Sequence, residues 1–86
     1  MSTPNPNADV VLHGLPDGEH ALVDAERGRM LLVNDVGAAV WLMLDGRRPL
    51  AEIIATIVAA RNSPSERVST DVQAFMEELR AHGFVS

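Results

Sequence analysis

The stretch "GRMLLVNDVGAAVWLMLDG", residues 28–46, decides the fold, because it joins two apolar segments through a polar corner. A membrane helix needs about 20 mostly apolar residues, and this apolar run is shorter and is interrupted by Asn34 and Asp35. Either of these two side chains can cap a helix by accepting a hydrogen bond from a free N–H of the first turn. We therefore predict a strand that ends before Asn34 and a helix that begins after Asp35.

Two turn motifs precede this stretch. "LPDG" at residues 15–18 and "AERG" at residues 25–28 both end in glycine, which accepts the positive φ that such turns often require. They separate three predicted strands, at residues 10–13, 19–24 and 29–33. Because the connections are short, the strands are expected to be antiparallel neighbours.

Three helices are predicted after the strands. The first covers residues 36–44, and the second starts at Pro49 with apolar residues spaced i, i+3, i+4 and i+7. The third begins at "SPSE", where Ser63 can cap the helix, Pro64 suits its first position, and Glu66 can complete a capping box. Gly83 is expected to end it.

This order of elements predicts an α+β domain, in which a three-stranded antiparallel sheet is followed by three helices in a winged-helix-like arrangement. The chain has 86 residues, which suits a single domain over residues 9–86. The Pro- and Asn-rich residues 1–8 are expected to form a flexible N-terminal tail. Since the start has no basic residues and no apolar core, it does not resemble a signal peptide, and we expect a cytoplasmic protein.

Catalytic and cofactor motifs are hard to find in this sequence. It has no cysteine and no lysine, and the net charge of −5 does not suit a phosphate backbone. His13, His20 and His82 are too scattered to suggest a metal site. No glycine-rich phosphate loop is present, and Ser63 and Ser65 have a capping role that needs no nucleophile. We therefore predict no cofactor, no metal and no enzymatic activity for the chain alone.

The third strand is unusual because both of its faces are apolar. Alternation along a strand places Met30 and Leu32 on one face and Leu31 and Val33 on the other. An edge strand normally carries charge or proline against stray pairing, and this strand has only Arg29. Either the third helix covers the second face, or the strand is a docking edge to which a peptide adds as another strand.

The segments "RGRMLLVNDVGAAVWLMLDGRRPLAEIIATI" and "ERVSTDVQAFMEELRAHGFV" resemble the PqqD family over residues 20–85. Members of this family are recognition elements for ribosomally made, post-translationally modified peptides (RiPPs). The resemblance implies that the chain binds the leader of a precursor peptide between the third strand and the third helix. It also implies that the chain presents the peptide to a modifying enzyme, as in pyrroloquinoline quinone synthesis, where that enzyme is a radical SAM protein.

The resemblance and the strand and helix patterns together give a predicted peptide-binding site, for which the family favours Met30 and Leu32 as the groove-facing pair. Phe75 is expected to be the main anchor on the third helix, with Asp71 and Met76 at the two edges of its apolar stripe. The full predicted site consists of Arg29, Met30, Leu31, Leu32, Val33, Val68, Asp71, Val72, Phe75, Met76 and Leu79.

Three alternatives stay open at this point. One is a lasso-peptide-type recognition protein that works with a leader peptidase, although Met30 and Leu31 stand where such proteins often have aromatic residues. Another is a winged-helix DNA-binding protein, which the acidic third helix disfavours. The last is a homodimer that pairs through the same strand edge.

Overall fold

A single three-stranded sheet forms one layer of the protein. The computed structural model describes residues 3–86. Strands β1 (Val10–Gly14), β2 (His20–Asp24) and β3 (Arg29–Val33) lie in the order β1-β2-β3, and both pairings are antiparallel. Leu22 of β2 lies opposite a leucine on each neighbour, which brings three apolar side chains into one row across the sheet.

Three helices follow the sheet, which confirms the predicted α+β order. They are α1 (Asp35–Met43), α2 (Leu50–Arg61) and α3 (Ser65–His82). The predicted starts of α2 and α3 are wrong by one residue, because Pro49 and Pro64 have extended backbone and precede the helices. The predicted capping box of α3 is also wrong. No side chain caps this helix, and the Ser63 hydroxyl instead donates to the carbonyl of Arg61.

The helices cover one face of the sheet and leave the other face open. Leu22 of the sheet and Val40, Ile53 and Leu79 of the helices are fully buried in one cluster. Burying such a side chain stabilises the fold by about 1.5–3 kcal/mol each. On the opposite face, Val11, Met30 and Leu32 are 51%, 60% and 56% exposed. The second apolar face of β3 is therefore not covered by α3.

The N-terminal segment, residues 3–8, for which the sequence predicts a flexible tail, packs against the C-terminus. Pro6 forms an isolated β-bridge with Val85, and the N–H of Asn7 donates to the carbonyl of Phe84 at 2.8 Å. Thr3 is buried. Residues 1 and 2 of the predicted tail lie outside the described residues. Backbone hydrogen bonds to a distant part of the chain hold this segment, and its polar composition gave no sign of them.

Within residues 3–86, no helix combines the length and apolar character needed to cross a membrane. The same part of the chain contains no group of three or more His, Asp or Glu side chains placed to hold a metal ion.

Candidate functional site

Strand β3 has a free edge in the described part of the chain. It pairs with β2 on one side only, from Arg29 opposite Asp24 to Val33 opposite His20. In an antiparallel pair, alternate residues direct their N–H and C=O groups away from the partner strand. The outer side of β3 therefore presents backbone donors and acceptors that another strand could pair with.

A groove of about 310 Å³ lies between the end of β3 and the middle of α3. Leu32 and Val33 line it from the strand, and Asp71, Phe75 and Glu78 line it from the helix. Phe75 is half-buried, so part of its ring remains available at the surface. The site thus combines an unpaired strand edge, an apolar floor and an acidic rim.

Gly37 of α1 forms part of the floor and lets the two walls approach. A Cβ atom at this position would lie 3.1 Å from Val33 Cβ and 3.3 Å from Phe75 Cε1. Both distances are tighter than ordinary van der Waals contact, so a larger residue would displace a wall of the groove. Glycine costs about 1 kcal/mol inside a helix relative to alanine. The close approach of Val33 and Phe75 is therefore a structural reason for glycine at position 37.

Polar contacts fix the corner where β3 turns into α1. The Asn34 side chain accepts a hydrogen bond of 2.9 Å from the N–H of Gly37, which confirms the predicted helix cap. Beside it, His20 Nε2 lies 3.0 Å from Asp35 Oδ1, which joins β2 to the first turn of α1. These contacts hold one end of β3 in a defined position relative to the groove.

The other end of β3 is tied to the C-terminus of α3. Arg29 Nη1 donates to the carbonyl oxygen of His82 at 2.6 Å. A cation at a helix C-terminus satisfies a free carbonyl and complements the helix dipole. This hydrogen bond ties the start of β3 to the end of α3, and Arg29 is engaged within the fold.

A buried carboxylate stabilises the hairpin between β2 and β3. Asp24 is fully buried and accepts hydrogen bonds from the Arg27 backbone at 3.1 Å and from Arg27 Nη1 at 2.9 Å. The side-chain hydrogen bond from Arg27 is the main cause that lowers the pKa of Asp24, against the opposing effect of burial. The carboxylate is thus held ionised where it fixes the turn that leads into β3.

The structure brings only part of the predicted site together. The predicted residues that line the groove are Leu32, Val33, Asp71, Val72 and Phe75. The remaining predicted residues lie outside it: Arg29, Met30, Leu31, Val68, Met76 and Leu79. Of the pair favoured by the family resemblance, Leu32 lines the groove and Met30 does not.

Met76 lies apart from the groove to which the sequence assigns it. It is only 2% exposed and lines a different cavity, together with Thr3, Leu50 and Arg80. Successive helical residues are rotated by about 100°, and this rotation turns Met76 from the β3 side towards α2 and the N-terminal segment. Met76 belongs to the core between α2 and α3, and the second edge of the groove is formed by another residue.

That residue is Glu78, which is not among the predicted site residues. Glu78 is three residues beyond Phe75 and seven beyond Asp71, so all three side chains share one face of α3. The sequence also gave no site role to Asn34, Gly37 or the other groove-lining residues. Those others are Val36, Val40 and Ala74. The i, i+4, i+7 spacing was the available signal for Glu78.

The exposed surface of α3 is acidic as a whole. Its exposed ionised side chains are Glu66, Arg67, Asp71, Glu77, Glu78 and Arg80. Four carboxylates against two guanidinium groups repel a phosphate backbone, so this helix is poorly suited to reading duplex DNA.

Comparisons with known proteins agree with this architecture. The family model described as "Coenzyme PQQ synthesis protein D (PqqD)" matches residues 19–85. A PqqA binding protein of Rhizobium meliloti (strain 1021) is 34% identical over 62 residues, which cover 72% of this chain. The match spans 61% of that relative's own length.

A solved structure, TbiB1 in complex with the TbiA(beta) leader peptide, shares the fold with a TM-score of 0.76. The match covers 95% of this chain and 94% of that one, at 22% sequence identity. Since the family model extends from β2 to the end of α3 and matches most of the sequence, the chain belongs to the PqqD family.

Proposed function

We propose that this protein is a non-catalytic recognition element, which binds the leader of a ribosomally made precursor peptide by strand addition to β3. The observation that carries the proposal is the free edge of β3 beside an open groove against α3, which has an apolar floor and an acidic rim. In strand addition, main-chain hydrogen bonds supply affinity and side-chain pockets supply specificity. This site offers both, since Leu32 and Phe75 stand on opposite walls of the groove next to the unpaired edge.

The names of the relatives support this proposal. One is a PqqA binding protein, and the other is a structure with a bound leader peptide.

The partners follow from the same proposal. The peptide would be presented in the cytoplasm to a modifying enzyme, for which a radical SAM protein of a pyrroloquinoline quinone-type pathway is the first candidate. A leader peptidase of a lasso-type pathway is the alternative enzyme. Pairing of two copies through β3 would use the same edge, so a dimer of that kind would compete with leader binding.

The test is a calorimetric titration with a synthetic leader peptide of the PqqA type, the kind of peptide named for the Rhizobium meliloti relative. Leu32→Arg places a charge on the groove wall, and Val11→Arg is its matched control on β1. The two side chains are similarly exposed, at 56% and 51%, on the same open face of the sheet. We expect Leu32→Arg to weaken binding by about tenfold or more and Val11→Arg by less than about twofold.

Equal effects of the two substitutions would contradict the proposed site, and no binding of the leader to the wild-type chain would contradict the proposed function. Gel filtration with and without saturating leader tests the competing dimer. A dimer that persists unchanged with bound leader would show that β3 is not the shared edge.

A further inference from the structure

Two carboxylates on the groove rim have no cationic partner in the described chain. Asp71 and Glu78 are both exposed and both line the groove. No Arg or His nitrogen within residues 3–86 lies within 4.0 Å of either carboxylate. Arg67, one turn before Asp71, forms no ion pair with it, and Arg29 at the start of β3 is engaged with His82. The rim is therefore a negatively charged border with free acceptor capacity.

The spacing of these groups matches an extended peptide. Along the axis of α3, Phe75 lies about 6 Å beyond Asp71 and about 4.5 Å before Glu78, at a rise of about 1.5 Å per residue. Side chains on one face of a strand repeat about every 6.8 Å. A strand paired with β3 would thus place three successive same-face side chains opposite Asp71, Phe75 and Glu78. The flexible stems of Lys and Arg can make up the remaining difference.

We propose that the groove selects a peptide segment in which an apolar residue is flanked, two positions away on each side, by Lys or Arg. The apolar side chain lies against Phe75, and the two basic side chains pair with Asp71 and Glu78. This inference rests on the proposed function and specifies the peptide that the site takes. The net charge of −5 also attracts a basic segment over a longer range.

The two rim carboxylates contribute moderately to the affinity for a basic peptide, and their contribution depends on the salt concentration. Two exposed ion pairs together account for about a tenfold difference in affinity between a basic and a neutral segment. Screening shortens the range of exposed charges to about 8 Å at physiological ionic strength. The preference for basic segments should therefore shrink as salt is added, whereas apolar contact with Phe75 remains.

The test starts from a display library of random 12-residue peptides selected on the full chain. Groove-dependent binders are defined as those that lose binding to Leu32→Arg and retain it to Val11→Arg. We expect these binders to be enriched in the alternating basic–apolar–basic pattern. Affinities of synthetic copies are then measured for the double variant Asp71→Asn/Glu78→Gln and for a matched control, Glu66→Gln/Glu77→Gln. The control removes the same charge from the same helix, away from the groove.

We expect about a tenfold loss with the rim variant and less than about a twofold loss with the control. Groove-dependent binders without basic residues, or equal losses in the two variants, would overturn the inference and leave the proposed function intact. A selection without any groove-dependent binder would also overturn the inference. The leader titration with Leu32→Arg decides the proposed function separately.

Discussion

Replacing the helix cap Asn34 by alanine should destabilise the fold by a predictable amount. The Asn34 side chain is exposed and makes one hydrogen bond, to the N–H of Gly37 at 2.9 Å, so truncation removes the cap with little loss of packing. Loss of such a cap costs about 1 kcal/mol. For 86 residues the entropy of unfolding is about 0.18 kcal/mol per kelvin, so the melting temperature should fall by about 5–6 °C.

Thermal unfolding followed by circular dichroism measures this shift, with Asn34→Ser as the matched control. Serine also accepts a hydrogen bond at a helix cap, so its melting temperature should stay within about 2 °C of wild type. Because Asn34 lies at the corner between β3 and α1, the alanine variant should also bind the leader more weakly. An alanine variant with the same melting temperature as the wild-type protein would refute the argument that this cap stabilises the corner between β3 and α1.

Three further predictions concern the groove wall, the core and the hairpin. Gly37→Ala should change the melting temperature little, because the better helix propensity of alanine offsets the crowding by its methyl group. It should still weaken leader binding in calorimetry. Unchanged affinity would contradict the role given to the close approach of Val33 and Phe75 at Gly37. Met76→Glu should lower the free energy of unfolding by about 3 kcal/mol or more, because it replaces a buried apolar side chain of the core by a charged one. Gln73→Glu on the exposed side of α3 should not, and similar denaturant midpoints for the two variants would refute this placement of Met76. The pKa of Asp24 is lowered from 3.8 in the folded state, so its stabilising contribution is present above that pH and is lost as the pH falls through the lower folded value. Arg27→Gln should therefore flatten the fall in stability measured from about pH 5 downwards, and an unchanged pH profile would show that this pair does not cause it.

The strands and helices could be predicted well from the sequence, because each is indicated by residues that lie close together along the chain. The cap at Asn34 follows from one polar side chain between two apolar runs, and it is present in the structure. The helices follow from the spacing of apolar residues, which depends only on the geometry of one turn. The order of three strands and three helices followed from these same local patterns and the short turns between strands.

The site was predicted less completely, because its residues come together through the rotation and packing of separate helices. The apolar stripe of α3 is visible in the sequence, but which edge faces β3 is not, so Met76 was chosen where Glu78 lines the groove. Gly37 is a groove residue only because Val33 and Phe75 approach it from other elements. The contacts of the N-terminal segment could not be predicted for a similar reason, since the N–H of Asn7 donates to the carbonyl of Phe84, which is distant in sequence.

The β-bridge between Pro6 and Val85 brings two segments that are far apart in sequence next to each other, and this arrangement favours circular permutation. Asn5 accepts a hydrogen bond from the N–H of Ser86 at 3.0 Å, so a short Gly/Ser linker could join the two regions with little strain. New ends could then be opened in the exposed turn that contains Gly18, which precedes β2 and lines a surface cavity together with Leu32 and Val33 of β3. In such a permutant, a reporter or a tethered peptide could be attached at a new place on the surface while β3, α1 and α3 keep their natural connections.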